Sequence, residues 1–262
     1  MELVTILLSA LLAVLSPVGI VTDKIVANAV RSRLSKVEQL QVRIDNAPSY
    51  QLVQGKVEKV RIAGRGLWLT PDVRIGALEV ETDPINLDLQ RLRQSGQNSA
   101  REALRQPLQA AVRVVLTEAD LNKILQSPAV TSRMSVFGSR AFGGAPERYQ
   151  FLNPKIEFLG NKRFRFQVEM REKDAEPLAI MVESGLGITA GRSFQLIEPV
   201  ISLNGKPLSS ALIAAFSGGI SNGFNLRSLE ERGITARILQ LNTNNRELEI
   251  AAFVRTDASG KR

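Results

Sequence analysis

The stretch RFRFQVEM at residues 163–170 alternates four apolar side chains with four charged or polar ones. A period of two is that of a β-strand with one buried face and one face in solvent. Gly160 and Asn161, just before this stretch, are typical of a hairpin turn. The stretch therefore predicts an antiparallel strand.

Similar alternation recurs on both sides of this strand. Upstream it covers residues 57–80, and downstream it recurs in four further runs: 178–183, 194–203, 234–241 and 247–254. From Asp23 to about Leu40 the apolar residues instead recur every three or four positions, which predicts a long amphipathic helix. Long alternating strands with a few helices indicate an α+β fold.

The composition excludes several kinds of chemistry. The 262 residues include no His and no Cys, so disulfides, Cys/His zinc sites and His-dependent catalytic triads are ruled out. A net charge of +8 favours an anionic partner, either a membrane surface or a nucleic acid. Aromatic residues make up only 5% of the chain and do not interleave with the basic ones, so we do not expect nucleic-acid binding.

The N-terminal run from Leu3 to Thr22 contains no charged residue. About twenty such residues suffice for a membrane-spanning helix, and we predict a membrane anchor or uncleaved signal-like helix at 1–22. A cleaved signal peptide and a buried core helix are the alternatives, since the triplet at 27–29 resembles a cleavage site. We predict a single domain at 23–257 and a disordered tail at 258–262.

Two motifs that suggest enzymes lack the required context. Gly185–Ala190 fits a dinucleotide-binding pattern, but another strand follows it where a phosphate-binding helix should begin. Thr117 is placed to cap a helix at 118–126, which favours a structural role for Glu118 and Asp120. We assign no catalytic residue, metal or cofactor. A carboxylate hydrolase using this pair, or Asp83 and Asp88, is a further alternative.

Two segments rich in glycine and large apolar side chains are candidate lipid-binding or gate regions. The first is a predicted loop at 134–145, and the second, at 211–224, is predicted to be helical and then Gly-rich. Ordinary core packing beside a mobile loop is the alternative for both. The candidate residues are Met134, Val136, Phe137, Phe142, Leu212, Ile213, Phe216, Ile220 and Phe224.

Four arginines are candidates for contact with a lipid headgroup. Arg61 and Arg65 lie on a strand with Gly turns, while Arg140 and Arg148 flank the Gly-rich loop. The alternative role for each is solvated surface.

Four runs of the sequence resemble one known family, the LmeA-like phospholipid-binding family, especially its cyanobacterial branch. They are VEQLQVRIDNAPSYQLVQGKVEKVRIAGRGLWL (37–69), VRIGALEVETDPINLDL (73–89), LTEADLNKIL (116–125) and ITARILQLNTNNRELEIAAFVRT (234–256). The resemblance implies a curved antiparallel sheet wrapped around a long helix, as in tubular lipid-binding domains. With the N-terminal run, it predicts this fold preceded by an apolar helix. It also implies phospholipid binding at the bacterial envelope.

The function predicted on these grounds is non-enzymatic phospholipid binding or transfer at a bacterial membrane through an apolar groove. Its expected partners are phospholipid and the membrane surface; the sequence identifies no protein partner. We expect a membrane-anchored protein of the cell envelope on the periplasmic side, with the cytoplasmic side as the alternative. The alternative function is a membrane-anchored structural or assembly protein that docks an acidic partner through its basic face.

Overall fold

The structure is a computed structural model that describes residues 23–46, 49–91, 102–142, 145, 148–172, 175–223, 226–231 and 233–257. At residues 25, 49, 53, 137–142, 215–216, 219–223 and 228 it describes only the backbone. The chain divides into two compact units. The first consists of residues up to 115 with 226–240 and those from 250, and the second of 116–225 with 241–249. The single domain predicted for 23–257 stays a prediction.

The described chain contains thirteen strands and five α-helices. The helices are α1 (Asp23–Arg31), α2 (Glu118–Leu125), α3 (Pro128–Phe142), α4 (Ser210–Gly223) and α5 (Arg227–Glu230). The strands are β1 (Lys36–Asp45), β2 (Lys56–Val57), β3 (Lys59–Thr70), β4 (Val73–Thr82), β5 (Ile85–Asn86), β6 (Leu108–Thr117), β7 (Tyr149–Gly160), β8 (Arg163–Glu172), β9 (Leu178–Thr189), β10 (Ser193–Leu203), β11 (Lys206–Pro207), β12 (Ile234–Thr243) and β13 (Glu247–Thr256). A 3-10 helix covers Ser49–Gln54.

A six-stranded sheet in the order β1-β3-β4-β6-β13-β12 organises the first unit. One face of its first strands is buried, because apolar side chains lie opposite one another across the strands. Val42 pairs with Ile62, and Ile62 pairs with Val80. These three residues are buried with Leu40 and Leu78. The alternate positions point to the opposite face, where most side chains are polar and exposed.

Helix α1 covers the outer edge of β1. The Asp23 carboxylate accepts a hydrogen bond from the backbone N–H of Ile44 at 3.0 Å, and Arg31 donates to the Leu40 carbonyl at 3.3 Å. Val26 and Val30 are buried on its inner side. These contacts protect an edge strand whose backbone groups would otherwise be open to pairing with another chain.

A five-stranded sheet in the order β11-β10-β9-β8-β7 organises the second unit. The predicted strand at 163–170 is confirmed, since β8 covers it and pairs antiparallel with β7 and β9. The core on one face of this sheet contains Val168, Val182 and Ile201, and the half-buried Ile213 of α4 packs against it. The Gly-rich stretch at 185–190 continues β9 into a hairpin with β10, which confirms that no phosphate-binding helix follows it.

The predicted cap of α2 is also confirmed. The Thr117 side chain accepts a hydrogen bond from the backbone N–H of Asp120 at 3.1 Å, and the Asp120 side chain accepts one from the N–H of Thr117 at 3.3 Å. Such reciprocal capping satisfies two backbone donors that a helix leaves without partners.

The predicted α+β fold with a sheet wrapped around a long helix is wrong. The structure is mostly antiparallel sheet, and the longest helix in its described part, α3, has only 15 residues. The helix predicted from Asp23 to Leu40 ends at Arg31, and residues 36–45 form β1. The reason is that Leu40, Val42 and Ile44 also fit a period of two, and pairing with β3 selects the strand.

No N-terminal apolar helix is shown either. The predicted anchor at 1–22 and the predicted tail at 258–262 lie outside the described residues. Among the residues that the structure covers, no helix combines the length and apolar character needed to cross a membrane.

Candidate functional site

A groove of about 1110 Å³ lies in the first unit. Its lining comes from α1 and from five strands of the six-stranded sheet, β1, β3, β4, β6 and β13, together with Leu239 of β12. The volume slightly exceeds the 300–1,000 Å³ that is usual for small-molecule sites, which suits a large ligand.

Strand register places two rows of mostly polar side chains beside each other in this groove. One row consists of Gln41, Ala63, Glu79 and Arg113, and the next consists of Arg43, Arg61, Glu81 and Ala111. All eight residues line the groove. They belong to the face opposite the buried Val42, Ile62 and Val80, because successive side chains of a strand point to opposite faces.

The strand order separates a charged end of the groove from an apolar end. Every charged lining residue belongs to α1, β1, β3, β4 or β6. The lining residues from β13 and β12 are Ala251, Ala252 and Leu239, and the Leu239 side chain is 68% exposed. The groove is therefore amphipathic along the direction that crosses the strands.

Ion pairs between neighbouring strands hold most of the charged end. Arg61 lies between Asp45, at 2.8 Å, and Glu81, at 3.0 Å. Lys59 approaches the same Glu81 carboxylate at 2.7 Å, and the hydrogen bonds from Lys59 and then Arg61 lower the pKa of Glu81. Arg113 pairs with Glu79 at 3.1 Å. These pairs fix the side chains in place, although each exposed pair contributes little to stability.

Helix α1 forms the wall beside this charged end. Lys24, Ala27, Asn28 and Arg31 all line the groove, as expected for residues spaced three, four and seven positions apart on one helical face. In the part of the chain that the structure describes, neither Lys24 nor Arg31 pairs with a carboxylate. The Arg31 guanidinium instead contacts the Asn28 side-chain oxygen at 3.5 Å and the Leu40 carbonyl.

Of the four predicted headgroup arginines, Arg61 is the one that the described structure places in the lining of this groove. Arg61 lines the groove, whereas Arg65 lies further along β3, is exposed and does not line it. Arg148 belongs to the second unit, where its hydrogen bond to Glu172 raises its own pKa, and its guanidinium lies 5.8 Å from the Tyr149 ring centre. For Arg140 the structure describes only the backbone. A role for any of them in binding stays a prediction.

Of the nine predicted gate residues, the side chains of four are described, Met134, Val136, Leu212 and Ile213, and these four do not line this groove. The loop predicted at 134–145 is wrong for residues 134–142, which belong to α3. Met134 is half-buried and Val136 is 38% exposed, while for Phe137 and Phe142 only the backbone is described.

The second gate segment is helical up to Gly223. In α4, Leu212 is 57% exposed and Ile213 packs on the core of the second unit. Only the backbone of Phe216 and Ile220 is described, and Phe224 lies outside the described residues. The gate role of both segments stays a prediction.

Sequence reasoning predicted a helix from Asp23 but missed its place in the groove, and it missed the small residues of the lining. Ala63, Ala111, Ala251 and Ala252 occur in strand patterns that do not mark them individually. A signal was present in α1, because the spacing of Lys24, Asn28 and Arg31 places three polar side chains on one helical face.

Three of the four carboxylates considered for catalysis are engaged in the fold, and the fourth, Asp83, is exposed. Glu118 accepts a hydrogen bond from the backbone N–H of Phe158 at 2.9 Å, and Asp120 is buried in the cap of α2. Asp88 accepts from the N–H groups of Arg91 and Gln90, and the first of these contributes most to lowering its pKa. Within the described ranges, no three acidic side chains are grouped to hold a metal ion.

Comparison with known proteins identifies a family for this chain. Curated proteins and solved structures yield no match. The sequence model of one family, described as LmeA-like phospholipid-binding, matches residues 13–253, which is most of the chain. The chain therefore belongs to the LmeA-like phospholipid-binding family.

Proposed function

We propose that the groove of the first unit binds one phospholipid molecule. The observation that carries this proposal is the separation of the lining, charged on the side of α1 and β1 and apolar on the side of β13 and β12. A phospholipid shows the same change along its length, from a charged headgroup to apolar acyl chains. The family of the chain is described by phospholipid binding, which supports the same ligand.

The size of the groove supports this ligand. Strands lie about 4.8 Å apart, so the six strands from β1 to β12 span about 24 Å. A bilayer with its headgroups is about 40–45 Å thick, so a single phospholipid is roughly 20–22 Å long. A lipid lying across the strands would place its headgroup beside α1 and its acyl chains on Ala111, Ala251, Ala252 and Leu239.

Affinity for such a ligand would come mainly from the acyl chains. Each CH₂ group removed from water contributes about 0.8 kcal/mol, so partial burial of two chains is sufficient for stable binding. The alanines of the groove leave room for the chains, since a larger side chain at the same position would fill the space. No step of this function requires bond breaking, so we propose a lipid-binding and not an enzymatic role.

We further propose that the protein transfers lipid at a bacterial membrane and is held there by the apolar run at 3–22. The absence of any charge in that run and the +8 charge of the chain support membrane attachment. The expected place is the periplasmic side of the cell envelope. Assignment to the cyanobacterial branch of the family rests on the four sequence runs quoted above.

The competing function is docking of an acidic protein partner by the basic face. The ion pairs of Arg43, Arg61 and Arg113 with carboxylates argue against it for the groove face, because they reduce the free positive charge there. Docking remains a prediction for the rest of the surface.

The experiment that tests lipid binding compares two tryptophan substitutions in the full chain. Ala111→Trp fills the middle of the groove, on the strand between Glu81 and the apolar lining of β13, and Ala179→Trp adds the same side chain at an exposed position on β9 of the second unit. Each protein is extracted from its membrane, separated from free lipid by size exclusion and analysed for bound lipid by mass spectrometry.

We expect about one phospholipid per chain for the unmodified protein and for Ala179→Trp, and a several-fold lower amount for Ala111→Trp. Circular dichroism checks that both variants keep their strand content. Equal lipid in all three proteins would mean that the lipid lies outside the groove. No lipid in the unmodified protein would contradict the proposed function itself.

A further inference from the structure

The wall formed by helix α1 carries positive charge that no carboxylate among the described residues neutralises. We infer that Lys24 and Arg31 select phospholipids of net negative charge by binding the headgroup phosphate. This inference rests on the proposed function and specifies the class of phospholipid that the groove takes.

The charges that line the groove are unequally satisfied. Five basic residues, Lys24, Arg31, Arg43, Arg61 and Arg113, face three acidic ones, Asp23, Glu79 and Glu81. Each acidic group has a partner: Asp23 accepts the Ile44 N–H, Glu79 pairs with Arg113, and Glu81 pairs with Lys59 and Arg61.

The three strand arginines are paired as well, including Arg43 with Asp45 at 2.6 Å. The positive charge left over is therefore concentrated on α1. Lys24 and Arg31 are exposed, and neither has a carboxylate partner among the residues described.

The geometry of α1 allows both side chains to reach one headgroup. A rise of 1.5 Å per residue separates their Cα atoms by about 10 Å along the helix, and long side chains span that distance from both ends. Asn28 lies between them on the same face and offers an amide N–H₂ group. The contacts of α1 with the backbone of β1, from Asp23 and from Arg31, hold this face in a fixed position.

Arg31 retains capacity for a phosphate in this arrangement. A guanidinium has five N–H donors, and the two contacts of Arg31 occupy two of its terminal nitrogens without using all their hydrogens. Arginine and lysine are the side chains best suited to phosphate oxygens. A zwitterionic headgroup brings its own cation into this site, where it meets like charge, whereas an anionic headgroup does not.

The test measures lipid choice by the full chain. The protein is incubated with detergent micelles that hold equal amounts of phosphatidylglycerol and phosphatidylcholine, then isolated, and its bound lipids are quantified by mass spectrometry. At about 1 kcal/mol for each basic residue, we expect the unmodified protein to enrich phosphatidylglycerol about 5- to 30-fold.

Substitution of both side chains, Lys24→Gln with Arg31→Gln, should bring the ratio close to one while phosphatidylcholine still binds. Arg31 also contacts the Leu40 carbonyl, so its substitution could disturb the fold. The single variant Lys24→Gln leaves that contact in place, and we expect its preference for phosphatidylglycerol to be about fivefold lower than that of the unmodified protein. Lys155→Gln with Arg171→Gln removes the same charge from exposed positions of the second unit and should leave the ratio unchanged.

Three results would overturn the inference. They are equal binding of both lipids by the unmodified protein, a preference that survives the double α1 variant, and loss of bound phosphatidylglycerol on adding excess inorganic phosphate. The last would identify a site for free phosphate and not for a lipid headgroup. Failure of the proposed function gives a different result, since neither lipid would then bind to the unmodified protein.

Discussion

Both sheets contain an arginine that bridges carboxylates on its two neighbouring strands, and one of the two lines the groove of the first unit. Arg61 of β3 bridges Asp45 and Glu81, and Arg165 of β8 bridges Glu157, at 3.2 Å, and Glu183, at 2.7 Å. The surroundings differ. Arg61 has α1 on one side and strands with small apolar side chains on the other, whereas Arg165 is absent from the groove lining.

This comparison separates an ion-pair network that fixes strand register from one that also borders the proposed binding groove. A cross-strand ion pair is a common way to fix register on the solvent face of a sheet. It becomes part of a binding site only where neighbouring elements add a wall and an apolar floor. For this protein the lining residues from α1, β13 and β12 supply those elements.

Core substitutions should give the largest effects and should reveal whether the two units unfold together. Leu78 in the first unit and Ile201 in the second are 2% and 1% exposed. We expect Leu78→Ala and Ile201→Ala each to lower the free energy of unfolding by about 2–5 kcal/mol, because each leaves a cavity. Urea unfolding of the full chain measures this loss.

The single tryptophan, Trp68 on β3, reports the first unit by fluorescence, while far-UV circular dichroism reports both. If residues 23–257 form one domain, both variants lower the urea midpoint by both probes. A Trp68 transition that Ile201→Ala leaves in place would show that the units unfold separately.

Alanine substitutions at two glycines with positive φ should lower the free energy of unfolding by different amounts, and the difference should be smaller than the effect of the core substitutions. Gly55 and Gly205 have φ values of +79° and +74°, so alanine at either costs about 1–2 kcal/mol of backbone strain. A Cβ at Gly55 would also collide with the carbonyl oxygen of Leu87, whereas nothing lies within 4 Å at Gly205.

We therefore expect Gly55→Ala to destabilise the protein by about 1–3 kcal/mol more than Gly205→Ala. Urea midpoints of the two variants measure the difference. Equal midpoints would mean that the chain around Gly55 shifts at little cost in free energy, so that the close approach of the Leu87 carbonyl does not constrain this turn.

The two bridging arginines should differ in lipid binding more than in stability. Their side chains are 44% and 31% exposed, so Arg61→Gln and Arg165→Gln should each cost less than about 1 kcal/mol of unfolding free energy. Only Arg61→Gln should reduce the phospholipid retained by the full chain, by about two- to fivefold. Equal lipid retention by both variants would remove Arg61 from the binding site.

Sequence patterns predicted the parts of this fold that depend on neighbours along the chain. The cap of α2 needs only Thr117 and Asp120, three positions apart, and the alternation in β8 is complete within eight residues. Residues 36–40 fit a helix locally, because Val37 and Leu40 are three positions apart, whereas Leu40 also begins an alternation with Val42 and Ile44. Pairing with β3, whose partner residues lie 24 to 32 positions further along, selects the strand.

The groove depends on still longer-range information. Ala111 faces the groove because β6 pairs with β4 in a register that sets it opposite Glu81. Leu239 and Ala251 join it because β13 and β12 follow β6 in the sheet order, although more than a hundred residues intervene. Alternation predicts that such positions share a face of some strand, but not which strands lie side by side.

The smallest expected effect concerns how the contribution of Glu81 to stability depends on pH. The hydrogen bonds from Lys59 and Arg61 lower the pKa of Glu81 below 4.5 in the folded protein. A carboxylate with a depressed pKa stabilises the fold above its unfolded pKa, and that contribution disappears as the pH falls through the folded value. Glu81→Gln should therefore lower the urea midpoint slightly at pH 7 and should differ less from the unmodified protein at about pH 3.

The matched control is Glu198→Gln, at an exposed position of β10 whose side chain has no ion pair within the described residues. We expect the same midpoint as the unmodified protein at both pH values, because this carboxylate has no partner to lose. A Glu81→Gln difference that persisted unchanged at about pH 3 would show that the substitution acts through packing and not through charge. In that case the ion pair of Glu81 with Arg61 would stabilise the first unit no differently from an uncharged polar contact.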